Sequence, residues 1–197
     1  QCDALFYFYK FIRFLTYGFR HQIYRKETEL GFMKKQEKNN KNLEKTNVMR
    51  ILEQHKIKYN AYTYPDKEAM SGEAVAEFLN VDKGRVFKTL VTVGKSKVNY
   101  VFMLPSDKEL DLKKAAASVN EKSIEMLKSK QLLPLTGYIH GGCSPIGMKK
   151  QFTTVIDQTA AEFSEIIFSA GKIGFQVEIG INSLGKIVEF KLADIAV

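Results

Sequence analysis

The stretch VFKTLVTVGKSKVNYVFMLP, residues 86–105, decides the fold. Val86–Val93 is rich in β-branched and aromatic residues and reads as the clearest strand of the chain. Gly94–Lys97 supplies a hairpin turn, Val98–Leu104 a return strand, and Pro105 its end. The first strand is largely apolar on both faces, which predicts a central place in a sheet. Lys88 breaks that pattern, because it shares a face with Val86 and Leu90. A lysine ammonium is costly to bury without a partner. It either snorkels from an edge strand into solvent or points into a polar cleft. The strand alone does not choose between them.

Working outward, the upstream chain reads helix, strand, helix. Thr46 or Asn47 caps a helix over 47–57, with Val48, Ile51, Leu52 and His55 at helical spacing. His55 reads as a helix-surface residue. Tyr59–Tyr64 forms a short strand stopped by Pro65. Ser71 opens a second helix carrying Val75, Phe78 and Leu79 on one face, and Gly84 ends that region. Downstream, Asp111 caps a helix with Leu112, Ala115, Ala116 and Val119, and Ser123–Lys130 reads as a further short helix. Phe152–Ile156, Ile166–Phe168 and Phe175–Ile179 read as strands, the last two parted by SAGKIG at 169–174. Asn182 or Ser183 starts a short helix, and Val188–Leu192 reads as a final strand. There are no internal repeats. Hairpins outnumber strand–helix–strand crossovers, so the expected class is α+β with a mixed or largely antiparallel sheet.

The chain has 197 residues and a net charge of +8. Residues 1–50 hold 11 Lys and Arg against 5 Asp and Glu, so most of the positive charge lies there. The nearly balanced remainder predicts weak intrinsic nucleic-acid affinity. Cys2 and Cys143 are far apart, which argues against a disulfide framework and for a reducing, cytoplasmic setting. No run of about 18 apolar residues exists to cross a membrane. Residues 1–32 are crowded with aromatics and broken by Lys10, Arg13 and Arg20. They read either as a membrane-surface helix or, as preferred, as a non-native segment ahead of a true start near Met33. Lys34–Lys45 is polar and expected to be disordered. The expected division is a tail over 1–45 and one domain over 46–197.

TGYIHGGCSPIG, residues 136–147, is the candidate ligand loop, with four glycines, a proline and a cysteine. The chain has no P-loop, no dinucleotide-binding glycine motif, no HExxH and no CxxC, so neither a cofactor nor a metal is expected. His140 and Cys143 invite a nucleophile reading, but no third group orients them. Ser144 precedes Pro145 and lacks the GxSxG frame. What remains is a site of loop amides, a strand lysine, hydroxyls and a tyrosine, suited to binding and polarising an ester or phosphate.

Five stretches together resemble the YbaK/EbsC family: VFKTLVTVG at 86–94, ELDLKKAAA at 109–117, TGYIHGGCSPIG at 136–147, FTTVIDQTA at 152–160 and FSAGKIGFQVEI at 168–179. That family contains free-standing aminoacyl-tRNA deacylases related to the editing domain of bacterial prolyl-tRNA synthetases. The resemblance runs from about Thr46 to the C-terminus. It implies a six-to-seven-stranded, partly barrel-like sheet with surrounding helices. It also implies trans-editing hydrolysis of mischarged aminoacyl-tRNA, of which Cys-tRNA(Pro) is the best-known family substrate. It assigns Lys88 and Gly141 to catalysis, and Tyr64, Thr89, Tyr138, Gly142, Ser144, Ser169 and Gly171 to substrate binding. The implied partners are the aminoacyl-tRNA acceptor end and prolyl-tRNA synthetase. In cysteine-specific members the substrate's own thiol attacks its ester, so the protein supplies orientation instead of a nucleophile. Ser71, Ile173 and Gln176 depart from the aromatic, basic and acidic residues of that subgroup, which leaves amino-acid specificity open. A non-catalytic tRNA- or synthetase-binding or regulatory protein of the EbsC type is the alternative.

Overall fold

The computed structural model describes residues 44–64 and 71–197. The expectations for residues 1–43, including the start near Met33, lie outside the described residues. Lys45–Val197 form one compact unit.

Each early helix begins where a side chain satisfies a free backbone N–H. Helix α1 (Asn47–Gln54) starts with the Thr46 hydroxyl accepting from Met49 N–H. Strand β1 spans Asn60–Thr63. Helix α2 (Gly72–Leu79) starts with Ser71 accepting from Ala74 N–H and stops at Asn80, whose φ is 53°. A short 3-10 turn, Lys83–Arg85, leads into β2 (Phe87–Gly94) and β3 (Asn99–Pro105). Helix α3 (Leu112–Ser118) is capped by Asp111, as expected.

One stretch corrects the sequence reading. Ser123–Lys130 is not a helix. Ile124–Met126 forms β4, which pairs antiparallel with Thr92–Gly94, and α4 runs over Ser129–Thr136. Pairing with an already formed strand overrides local helix propensity here. Pro134 lies inside α4, where it removes one backbone donor. Strands β5 (Thr153–Asp157), β6 (Ile166–Ser169) and β7 (Phe175–Ile179), the one-turn helix α5 (Ile181–Leu184) and β8 (Phe190–Ala193) complete the order.

The strands form two sheets, β1-β7-β6 and β4-β2-β3-β5-β8. Where a mixed six-to-seven-stranded, partly barrel-like sheet was expected, the described residues hold eight strands divided three and five, and neither sheet closes on itself. The class, mixed α+β, stands. The larger sheet is antiparallel through β4, β2 and β3 and parallel through β3, β5 and β8. Strand β3 lies at its centre, which explains its uninterrupted apolar run. One face meets α3, where Tyr100, Phe102 and Val155 pack on Ala115 and Ala116. In the smaller sheet, Ile167 packs with Tyr64, Val86 and the α2 residues Val75, Ala76 and Leu79. The sheets touch where Val86 bridges Ile167 in parallel.

Candidate functional site

That bridge places the chemistry. Partners across a ladder share a face, and residues two apart along a strand point the same way. Two residues on from that single bridge, Lys88 and Ser169 lie on the same side of their strands as Val86 and Ile167. Ser169 pairs with Gln176, and Gln176 pairs with Tyr62. Ser169, Gln176 and Tyr62 thus form one row across β6, β7 and β1, and Lys88 follows Val86, whose bridge joins the two sheets. Lys88 and Ser169 are half-buried and Gln176 is buried. Lys88 Nζ donates to the Ser106 carbonyl at 3.3 Å, which uses one of its three donors. Lys88 pairs with Leu104 of β3, and β4 meets β2 only farther along, at Thr92–Gly94.

Two glycine-bearing loops form a wall built by close backbone contact. A Cβ on Gly142 would sit 3.3 Å from the Ile173 amide nitrogen, so the 136–147 and 169–174 segments touch main chain to main chain. A Cβ on Gly171, whose φ is +86°, would lie 2.8 Å from the Tyr138 ring, and one on Gly147 would lie 2.9 Å from the Tyr138 hydroxyl. Tyr138 is the bolt between these glycines. Its ring is buried and its hydroxyl donates to Ile146 O at 2.6 Å. Burial, with Cys143 adding to it, pushes its phenol up to about 12, so it stays a donor.

The wall's other polar groups are spent internally. Thr136 Oγ1 donates to Leu132 O and accepts from Tyr138 N–H. Ser144 is fully buried and its hydroxyl accepts from Ile146 N–H. Cys143 is a buried free thiol, pushed up to about 12 by burial. A thiol so protonated at neutral pH is a poor nucleophile. Gly141, with φ +79°, is exposed at the turn closed by Gly142 N–H to Ile139 O. Ser169 Oγ accepts from Gly171 N–H at 3.3 Å, which ties the wall to the row.

The remaining predicted residues fall nearby with different roles. Tyr64 is buried in the cluster under α2, edge-on to Phe78 at 6.2 Å, with its N–H donated to Gly174 O. Thr89, next to Lys88, holds a buried hydroxyl without a partner. Among the described residues, no hydrogen bond joins Lys88 to the 136–147 loop. A cleft of about 630 Å³, lined by Ile51, Gly147, Phe152, Val188 and Phe190 among others, lies elsewhere and holds neither Lys88 nor Gln176. The strand row, not this cleft, gathers groups suited to an ester.

Sequence reasoning missed one cluster on the same face. Glu178 is 5% exposed and accepts from the Tyr62 hydroxyl at 2.5 Å, from Asn60 Nδ2 at 2.9 Å and from the Arg85 guanidinium. Burial, then the bond to Glu178, pushes the Tyr62 phenol well above its usual range. The signal was present in period two: Gln176 and Glu178 are two polar residues on one face of a buried strand.

The comparisons with known proteins agree with this architecture. The profile of the aminoacyl-tRNA editing domain matches residues 66–187. An Enterococcus faecalis protein named as a Cys-tRNA(Pro)/Cys-tRNA(Cys) deacylase, EbsC, is 47% identical over 156 residues, covering 79% of this chain and 95% of that protein. A proline–tRNA ligase of Burkholderia multivorans is 27% identical over 127 residues, which are 62% of this chain and 22% of the ligase. A solved structure described as a trans-editing enzyme for prolyl-tRNA synthetase superposes with a TM-score of 0.68 at 21% identity, over 79% of this chain and 99% of that one.

Proposed function

Because the chain belongs to the aminoacyl-tRNA editing domain family, we propose that it is a free-standing deacylase of mischarged aminoacyl-tRNA, with its activity in the domain over 46–197. The observation that carries this reading is Lys88: half-buried on β2, two residues past the bridge to β6, with donors left over. An ammonium so placed holds an oxygen of the substrate's acceptor end, whether ester carbonyl, ribose or phosphate. The exposed backbone at Gly141 is the candidate donor to the developing oxyanion, since the Gly142 N–H is already bonded to Ile139 O. The protein offers no ready nucleophile there, since Cys143 is a buried, protonated thiol and Ser144 is buried and bonded to Ile146 N–H. Water, or a thiol on the substrate, therefore attacks the ester carbon. The C–O bond to the tRNA 3′ oxygen breaks, and that oxygen leaves with a proton.

The named relatives favour tRNA(Pro) charged with cysteine or another small amino acid as substrate. The ligase resemblance favours prolyl-tRNA synthetase as the partner whose errors are cleared, in the cytoplasm. The test is hydrolysis of Cys-, Ala-, Ser- and Pro-tRNA(Pro) by the purified protein. We expect release of at least one small mischarged amino acid faster than Pro. A chain that hydrolyses none of the four is a binding protein, and the deacylase reading falls.

A further inference from the structure

The ester chemistry uses Lys88 and the loop amides, but it gives no role to the polar cluster one step along the same sheet face. Three donors converge there on one buried carboxylate: Tyr62 and Asn60 from β1, and Arg85 from the turn before β2. Tyr62 stands directly across from Gln176, at the end of the row that begins with Ser169. One side of its half-buried ring packs on the cluster of Tyr64, Val75 and Leu79 beneath α2. A tyrosine held by packing on its ring and by a bond on its hydroxyl has a single orientation. Arg85 balances the charge of Glu178, so the brace adds no net charge to the face. A rigid, neutral aromatic surface beside a polar row limits size.

We propose that Tyr62, braced by Glu178 and Arg85, walls the pocket for the substrate's amino-acid side chain and restricts it to small residues. This rests on the deacylase reading and deepens it by naming a specificity-determining residue. Such a wall acts by exclusion, so removing it changes the ranking of substrates and not merely the rate. A structural tyrosine, by contrast, lowers all rates together.

The experiment compares kcat/KM for Ala-, Cys- and Leu-tRNA(Pro) in wild type, Tyr62→Ala and Tyr62→Phe. Tyr62→Ala is expected to raise the Leu-to-Ala ratio by about 10-fold or more, the range that a change of one or two methylenes commands in an apolar pocket. Tyr62→Phe, which keeps the ring and loses the brace, is expected to shift it by a smaller factor in the same direction. Should Tyr62→Ala fail to fold, Tyr62→Leu keeps apolar volume on the sheet and is held to the same outcome. An active wild type whose variants lose all three activities equally, or keep the ratio unchanged, overturns the wall alone. A wild type inactive on every substrate overturns the deacylase reading, and the wall with it.

Discussion

The glycine wall and the strand row border the same candidate site, yet they spend their polar groups in opposite ways. In the wall, Thr136, Tyr138 and Ser144 are buried and bonded within their own segment, and Cys143 is sealed as a protonated thiol. Beside the row, Lys88 commits one donor and stays half-buried. Unsatisfied polar groups lower stability, so a fold keeps them where a ligand completes them. On the proposed function, the wall sets shape, and Lys88 with the row beside it takes the chemistry.

The comparison breaks if damage to the wall spares stability, or if damage to the row costs it. Gly171→Ala meets both a left-handed φ and the Tyr138 ring. It is expected to destabilise the fold by about 2–4 kcal/mol, read as a fall in the urea midpoint with activity falling alongside. Gln176→Leu is expected to lower kcat/KM by about 10-fold, while the urea midpoint holds or rises because a buried amide is replaced by an apolar group of similar size. Tyr138→Phe loses one buried hydrogen bond and is expected to cost about 1 kcal/mol in the same denaturation.

A further effect is in the pH dependence. Burial raises Cys143 from 9.0 to about 12, and Tyr138 from 10.0 to about 12. Above pH 9 the unfolded chain releases these protons first, so it binds fewer protons than the folded one. The stability they contribute is full below pH 9 and is lost as pH rises towards 12. Urea midpoints between pH 8 and 11 are expected to decline, and Cys143→Ala is expected to flatten the early part of that decline. A decline identical in Cys143→Ala would place the cause elsewhere.

Much of this division was legible in the residues. The caps at Thr46, Ser71 and Asp111 announced three helices, and the hairpin at Gly94–Lys97 announced the sheet. Lys88 was legible as an anomaly because an ammonium conflicts with an apolar strand. Its neighbours were not, since Ser169 and Gln176 reach it only through a bridge between Val86 and Ile167, some 80 residues apart in sequence. β4 was hidden because Ile124–Met126 is three residues long and gains its form from β2. The packing of Tyr138 between Gly147 and Gly171 was not legible, because those glycines come from two loops far apart in sequence. Glu178 was passed over because its partners come from β1 and the turn before β2, which no local pattern connects.

The central claim is that Lys88, and no protein nucleophile, drives deacylation. It is tested most directly by single-turnover hydrolysis of the best mischarged tRNA(Pro) substrate by wild type, Lys88→Ala and Cys143→Ala. The account predicts that Lys88→Ala loses about 100-fold or more, as expected for a lost charged group at the reacting ester, while Cys143→Ala stays within about 3-fold of wild type. Equal loss in both variants would contradict it and restore Cys143 as the nucleophile.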